Sequence, residues 1–218
     1  MKGMSTIDTT DGWAGKLLNG LGWMMVFAYI NLLWIAFTFM GLIIFGISPA
    51  TTALFAIVRK WLQGDRDLKI LPTFWKIYKG DFLKANLLGL IIVVIGAVLY
   101  IDFYFLVAMQ HWFSTVLLML IAVFIALYLV ILVHIIPVFV HYEASIWSHL
   151  KIALSVGVSH LGRTALLLFG SLIIFYLLLS YPGTIPFFSV SSLAAYTLLV
   201  SLNMYEKISQ RHHTPVEE

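Results

Sequence analysis

Two stretches decide the fold: LLNGLGWMMVFAYINLLWIAFTFMGLIIFGISPATTALFAIV, residues 17–58, and TALLLFGSLIIFYLLLSYPGTIPFFSVSSLAAYTLLVSLNMY, residues 164–205. Neither contains a Lys, Arg, Asp or Glu. A bilayer crossing takes about 20 apolar residues. Each stretch is therefore long enough to enter a membrane, turn and return.

The rest of the composition agrees. Of 218 residues, 61% are hydrophobic and 11% charged, and mean hydropathy is +0.99. Globular chains carry about 25% charged residues, so a soluble domain is excluded and an integral membrane protein remains. Arg59, Lys60, Arg66, Lys69, Lys76, Lys79 and Lys84 are interleaved with Asp65, Asp67 and Asp81. That is not the dense basic stripe of a nucleic-acid surface. The absence of Cys excludes disulfides and thiolate chemistry. Lys2, Asp8, Asp11 and Lys16 precede the first apolar run, and no small-residue cleavage site follows it. The first helix is expected to be retained.

The predicted fold is all-α, one polytopic transmembrane bundle over 1–218. Helical hairpins occupy 20–63, 85–140 and 164–205, after an N-terminal segment 1–19 and before a polar, unstructured tail 206–218. Gly41, Gly46 and Ser48-Pro49 divide the first hairpin into helices over about 20–45 and 49–63, since proline suits the first turn of a helix. The second of these is short for a crossing. Six spans is the preferred reading; five spans plus a re-entrant helix is the alternative. Residues 64–84 and 141–163 are predicted amphipathic helices at the interface. In the second, Ile146, Leu150, Ala153, Leu154, Gly157, Val158 and Leu161 form the apolar face. Beyond the N-terminal segment, all basic residues lie in 59–84, 141–163 and 206–218, and none in the links 107–112 and 182–185. The positive-inside rule puts the first three regions and the C-terminus in the cytoplasm. The N-terminus is inside with six spans and outside with five.

The sharpest local signal is Ser48-Pro49-Ala50-Thr51-Thr52. A helix start presents free N–H donors and a positive dipole end, which with Asn31 and Thr38 can form a substrate site at membrane depth. The competing account is structural: Ser48 caps the helix, Pro49 starts it, and Ala50, Ala53 and Ala56 allow close packing. Asp102 is the acid embedded near a crossing, either functional or an interfacial anchor. His134, His141 and Glu143 invite a metal reading, but Pro137 bends the face between the two histidines and their spacing is not a ligand spacing. His149 and His160 lie nearby. The small-residue pairs Ala122/Ala126 and Ser191/Ala195 mark helix contacts. No phosphate-cradling loop, nucleophile elbow or zinc-protease motif is present. The chain therefore reads as non-enzymatic, with no cofactor or metal.

Asn31-Leu32-Leu33-Trp34, Ser48 through Trp61, Phe74-Trp75-Lys76, and Leu150–Ser155 with Arg163-Thr164 together resemble the YesL-like family. These are small bacterial polytopic membrane proteins of unknown function, mostly from Gram-positive species. Gly46-Ile47 stand where members often carry a Pro–Thr turn. The resemblance implies a bacterial cytoplasmic membrane location. Genes of this kind often adjoin sugar ABC-importer components, carbohydrate-degrading enzymes or two-component regulators. An accessory role in carbohydrate uptake follows as an expectation, with the importer's membrane subunits or a sensor kinase as partner. The family assigns no catalytic residue. Phe74, Trp75, Lys76, Tyr78 and Lys79, with Trp147 and Lys151, are the candidate surface toward that partner or toward lipid. The alternative is a small transporter or channel using Ser48–Thr52 and Asn31. An enzyme acting on lipid or polyprenyl substrates ranks below both. The sequence leaves the oligomeric state open.

Overall fold

A computed structural model describes residues 13–109 and 111–213. Residues 1–12 of the predicted N-terminal segment 1–19, and 214–218 of the tail, lie outside them, whereas 13–19 already belong to the first helix. Among the described residues there are no strands and eight α-helices: α1 Trp13–Met40, α2 Ile47–Leu62, α3 Ile70–Gly80, α4 Phe82–Ala108, α5 Trp112–His141, α6 Ile146–Ser159, α7 Leu161–Ser180 and α8 Ile185–His213. Five segments are long and apolar enough to cross a membrane: Gly20–Met40, Phe82–Ala108, Trp112–His141, Leu161–Ser180 and Pro182–Ser201. The 16 residues of α2 rise only about 24 Å, short of a hydrocarbon core of about 30 Å. By length, the arrangement is the five-span alternative with a shorter helix, rather than six full crossings. This is a helical membrane protein that associates with the bilayer.

The short α2 is the centre of the bundle. Ala50, Ala53, Leu54, Ile57 and Val58 are fully buried against Ile30 and Phe37 of α1, Phe74 and Tyr78 of α3, and Ala194, Ala195 and Leu198 of α8. Alanines at these positions let neighbouring backbones approach, which is how helices associate where burial in lipid gives no hydrophobic drive. A second cluster joins α4, α5 and α6 through Ala85, Leu88, Ile135, Val138, Phe139, Leu150, Ala153 and Val156.

The turn between α1 and α2 spans 41–46, wider than the break at 46–48 that the glycines predict. Leu42 and Ile43 adopt φ of 55° and 66°, a left-handed conformation costly for large and especially β-branched side chains. Leu42, Ile43, Ile44 and Phe45 all point outward. The backbone is nevertheless closed on itself: Gly41 N–H donates to the Phe37 carbonyl, Ile43 to Thr38, and Gly46 and Ile47 to Ile43. Neighbouring elements add the Tyr78 hydroxyl on the Phe37 carbonyl (3.2 Å) and the Asn86 amide on the Phe45 carbonyl (2.9 Å). An apolar tip with internally bonded backbone is what hydrocarbon demands of a non-helical segment.

Several expectations are corrected by packing. Phe74 and Tyr78 of 64–84 face inward around Phe37, because α3 lays its aromatic stripe on α1 and α2. They are core residues and leave Trp75, Lys76 and Lys79 outside. The 141–163 stretch is divided: α5 continues through Pro137 to His141, and Ser145 caps α6, its hydroxyl accepting the Ser148 N–H. The α6 face turned inward holds His149, Leu150, Ala153, Val156 and Gly157, whereas Val158 and Leu161 face out. Contrary to the predicted unstructured tail from 206, the α8 backbone runs on to His213. Ser191 and Ala195 are buried, whereas Ala122 and Ala126 face outward.

Candidate functional site

The Ser48–Thr52 segment is a helix start, but Ser48 does not cap it. Gly46 occupies the cap position and no side chain bonds there, because the helix begins at Ile47 and carries Ser48 into its first turn. The threonine hydroxyls serve the helix: Thr51 donates to the Ile47 carbonyl at 2.6 Å and accepts the Trp34 indole N–H at 2.9 Å. Thr52 donates to the Pro49 carbonyl at 3.0 Å. Beside them lies a small, mainly apolar cavity of about 170 Å³, closed by Leu88 and Gly89 of α4 and by Leu132 and Ile135 of α5. α4 passes close here, since a Cβ on Gly89 would lie 2.2 Å from the Ser48 Oγ.

Asn31 does not join this site. Its fully buried amide reaches the opposite partner, the start of α8. Nδ2 faces the carbonyls of Ile185 (3.3 Å) and Pro186 (2.8 Å) and the Ser189 hydroxyl (3.2 Å). Oδ1 accepts the N–H groups of Val190 (3.0 Å) and Ser191 (3.2 Å). Thr38 is buried too, its hydroxyl without a partner among the described residues.

The histidine and acid candidates scatter. His134 is fully buried, its Nε2 3.0 Å from the Thr164 hydroxyl, which donates to the Gly157 carbonyl at 2.8 Å. This contact ties α5 to α7 and α6. Asp102 faces outward near the end of α4. Among the described residues no three His, Asp or Glu gather as a metal-ligand group.

His141 and Glu143 instead line a much larger cavity, of about 830 Å³, where the C-terminal end of α2, the start of α4, the end of α5 and α6 converge. Arg59, Lys60, Asp81, Lys84, Tyr142 and His149 share its wall. Arg59 Nη1 donates to the Val140 carbonyl, one of the acceptors that the last turn of α5 leaves without an intrahelical donor. Burial holds the Asp81 carboxyl above the usual carboxylate range, opposed by the Lys84 ammonium and reinforced by the Glu143 charge. Burial also raises the Tyr142 phenol. Charge patterning marked these segments as basic flanks, but residues 59, 84, 143 and 149 meet only through tertiary packing. Only the flanking charge was legible.

A family model described as "Protein of unknown function, DUF624" matches residues 27–103, from mid-α1 into α4. Uncharacterized protein YteU of Bacillus subtilis (strain 168) is 38% identical over 205 residues, covering 94% of this chain and 92% of that protein. Uncharacterized proteins YesV and YesL of the same organism are 31% and 30% identical, covering 85% and 90% of this chain and 89% and 94% of theirs. No solved structure matches.

Proposed function

The chain belongs to the DUF624 family of proteins of unknown function, and from that premise we propose a non-enzymatic role as an integral membrane accessory protein that docks a partner. One observation carries the reading. α3 and α6, 11 and 14 residues long, are too short to span and turn large aromatics and cations outward together. Trp75, Lys76 and Lys79 are exposed on α3, and Trp147 and Lys151 on α6. Tryptophan beside a cation is characteristic of interface anchors, and of helices resting on anionic lipid.

With the basic segments placed inside, both helices and the C-terminus face the cytoplasm of a bacterial cytoplasmic membrane. The gene neighbourhoods of YesL-like proteins supply the partner class: the membrane subunits of a sugar ABC importer, or a sensor kinase, in support of carbohydrate uptake. Crosslinking in native membranes, followed by purification and mass spectrometry, tests it. The partner is expected to co-purify, and Lys76→Glu with Lys79→Glu is expected to remove most of it while the protein itself is still recovered. Recovery of this chain without a partner, or a partner indifferent to that reversal, overturns the reading and leaves the two helices as lipid contacts.

The cavity beside Ser48, Thr51 and Thr52 supports a second reading, a small transporter or channel. Under it, Thr51→Ala with Thr52→Ala abolishes uptake of the substrate without lowering expression. Under the docking reading, the same pair changes packing alone and leaves crosslinking intact.

A further inference from the structure

The docking reading makes no use of the large cavity between α2, α4, α5 and α6. We propose that it binds a phosphate-bearing polyol, whether the glycerol-phosphate headgroup of an anionic lipid or a soluble phosphate ester. Its volume, about 830 Å³, falls within the roughly 300–1,000 Å³ of small-molecule sites. Three basic side chains line it, Arg59, Lys60 and Lys84, against two acidic ones, Asp81 and Glu143. Arg59 is steered by its bond to the Val140 carbonyl, and a fixed guanidinium fork matches phosphate geometry. Lys60 and Lys84 are exposed and need not be desolvated to reach an anion at the rim.

His149 bears on the second half of the ligand. It is only 3% exposed, yet it lines the cavity. Its Nε2 lies 3.0 Å from the Tyr142 carbonyl, and its ring packs on Phe139 at 5.0 Å. A carbonyl only accepts, so Nε2 carries a proton, and in the tautomer protonated there alone Nδ1 is an acceptor. That Nδ1 is buried and has no hydrogen-bond partner among the described residues. A buried acceptor of this kind calls for a donor, and ligand hydroxyls supply one. Asp81 and Glu143 offer further acceptors for the same hydroxyls. Cations at the rim and acceptors in the wall together select an anion that also carries hydroxyls. Basic pockets between helices near a membrane surface are suited to phosphate headgroups.

The test uses the full chain in phosphatidylcholine nanodiscs, titrated with glycerol 3-phosphate or glycerol, alongside native mass spectrometry after exposure to phosphatidylglycerol. Saturable binding of glycerol 3-phosphate but not glycerol identifies a soluble ester; retention of phosphatidylglycerol without glycerol 3-phosphate binding identifies the lipid headgroup. Either result supports the site, provided that Lys60→Gln with Lys84→Gln weakens it by about tenfold or more at unchanged Tm, as charged hydrogen bonds require. His149→Phe, which keeps an aromatic ring against Phe139, is expected to weaken the polyol phosphate but not inorganic phosphate. Binding of neither probe, equal binding of glycerol, or binding indifferent to the lysine pair overturns it.

Discussion

Gly46→Ala is expected to lower the stability of the detergent-solubilised protein by about 3 kcal/mol, at the upper end for overpacking, with a matching fall in Tm. The glycine needs no unusual backbone: its φ is −88°, which any residue adopts. The reason is steric. A Cβ there would sit 2.3 Å from the Thr38 carbonyl oxygen, 2.8 Å from the Thr38 Cα and 2.9 Å from the Phe37 carbonyl oxygen. All three are backbone, so no rotamer change relieves the contact and α1 must be pushed away from the start of α2. The shift would also pull on the Phe37 carbonyl, which receives the Tyr78 hydroxyl, and so on the aromatic packing that seats α3. Gly20→Ala is the control, since among the described residues nothing lies within 4 Å of its Cβ position; it is expected to be neutral or stabilising by less than about 1 kcal/mol. Thermal melting followed by fluorescence of the three proteins decides it. A Gly46→Ala melt superimposable on wild type would mean that the turn is loose and that α1 and α2 do not meet as closely as the geometry requires.

Membership of the membrane class was legible because it rests on a sum over many residues: two charge-free runs of about 40 residues leave no other physical solution. The five long apolar segments are those that length and hydropathy alone mark. Partner choice within the bundle was not legible. Phe74 and Tyr78 sit at helical spacing among lysines, a pattern equally suited to lipid and to core; only the proximity of Phe37 decides it. Ser48 ahead of Pro49 reads as a cap, but the helix starts at Ile47, because Ile47 N–H bonds back to the Ile43 carbonyl within the turn. That bond goes with a left-handed Ile43, a conformation that a β-branched residue strongly disfavours. For the charged cavity the limit is sequence distance: Arg59 and Val140 are 81 residues apart, and no local pattern links them.

Asn31→Leu is expected to cost about 2–3 kcal/mol, far more than a single interhelical hydrogen bond within a bilayer, which averages about 0.6 kcal/mol. The difference comes from where the amide sits. Ile185 and Pro186 offer the carbonyls, and Val190 and Ser191 the N–H groups; of these only the Pro186 carbonyl and the Val190 N–H are four residues apart, as a regular helical bond requires. Asn31 thus bridges the opening turns of α8, meeting donors and acceptors at once with a single side chain that is fully buried. Leucine fills similar space but leaves those groups to whatever pairing the helix itself supplies, and any left unmade is desolvated in hydrocarbon. Asn31→Asp should be worse, because a carboxylate cannot donate to the Pro186 carbonyl and stands against its dipole. Ser189→Ala removes one contact, at 3.2 Å, and should cost no more than about 0.5 kcal/mol. Hydrogen exchange over 185–191 reports the mechanism separately from global stability. In Asn31→Leu the amides of Val190 and Ser191 should exchange faster while those in mid-α4 do not. If instead Asn31→Leu loses no more than Ser189→Ala and protection at 190 and 191 is unchanged, the start of α8 holds itself together, and the polar residue in α1 has to be assigned another purpose.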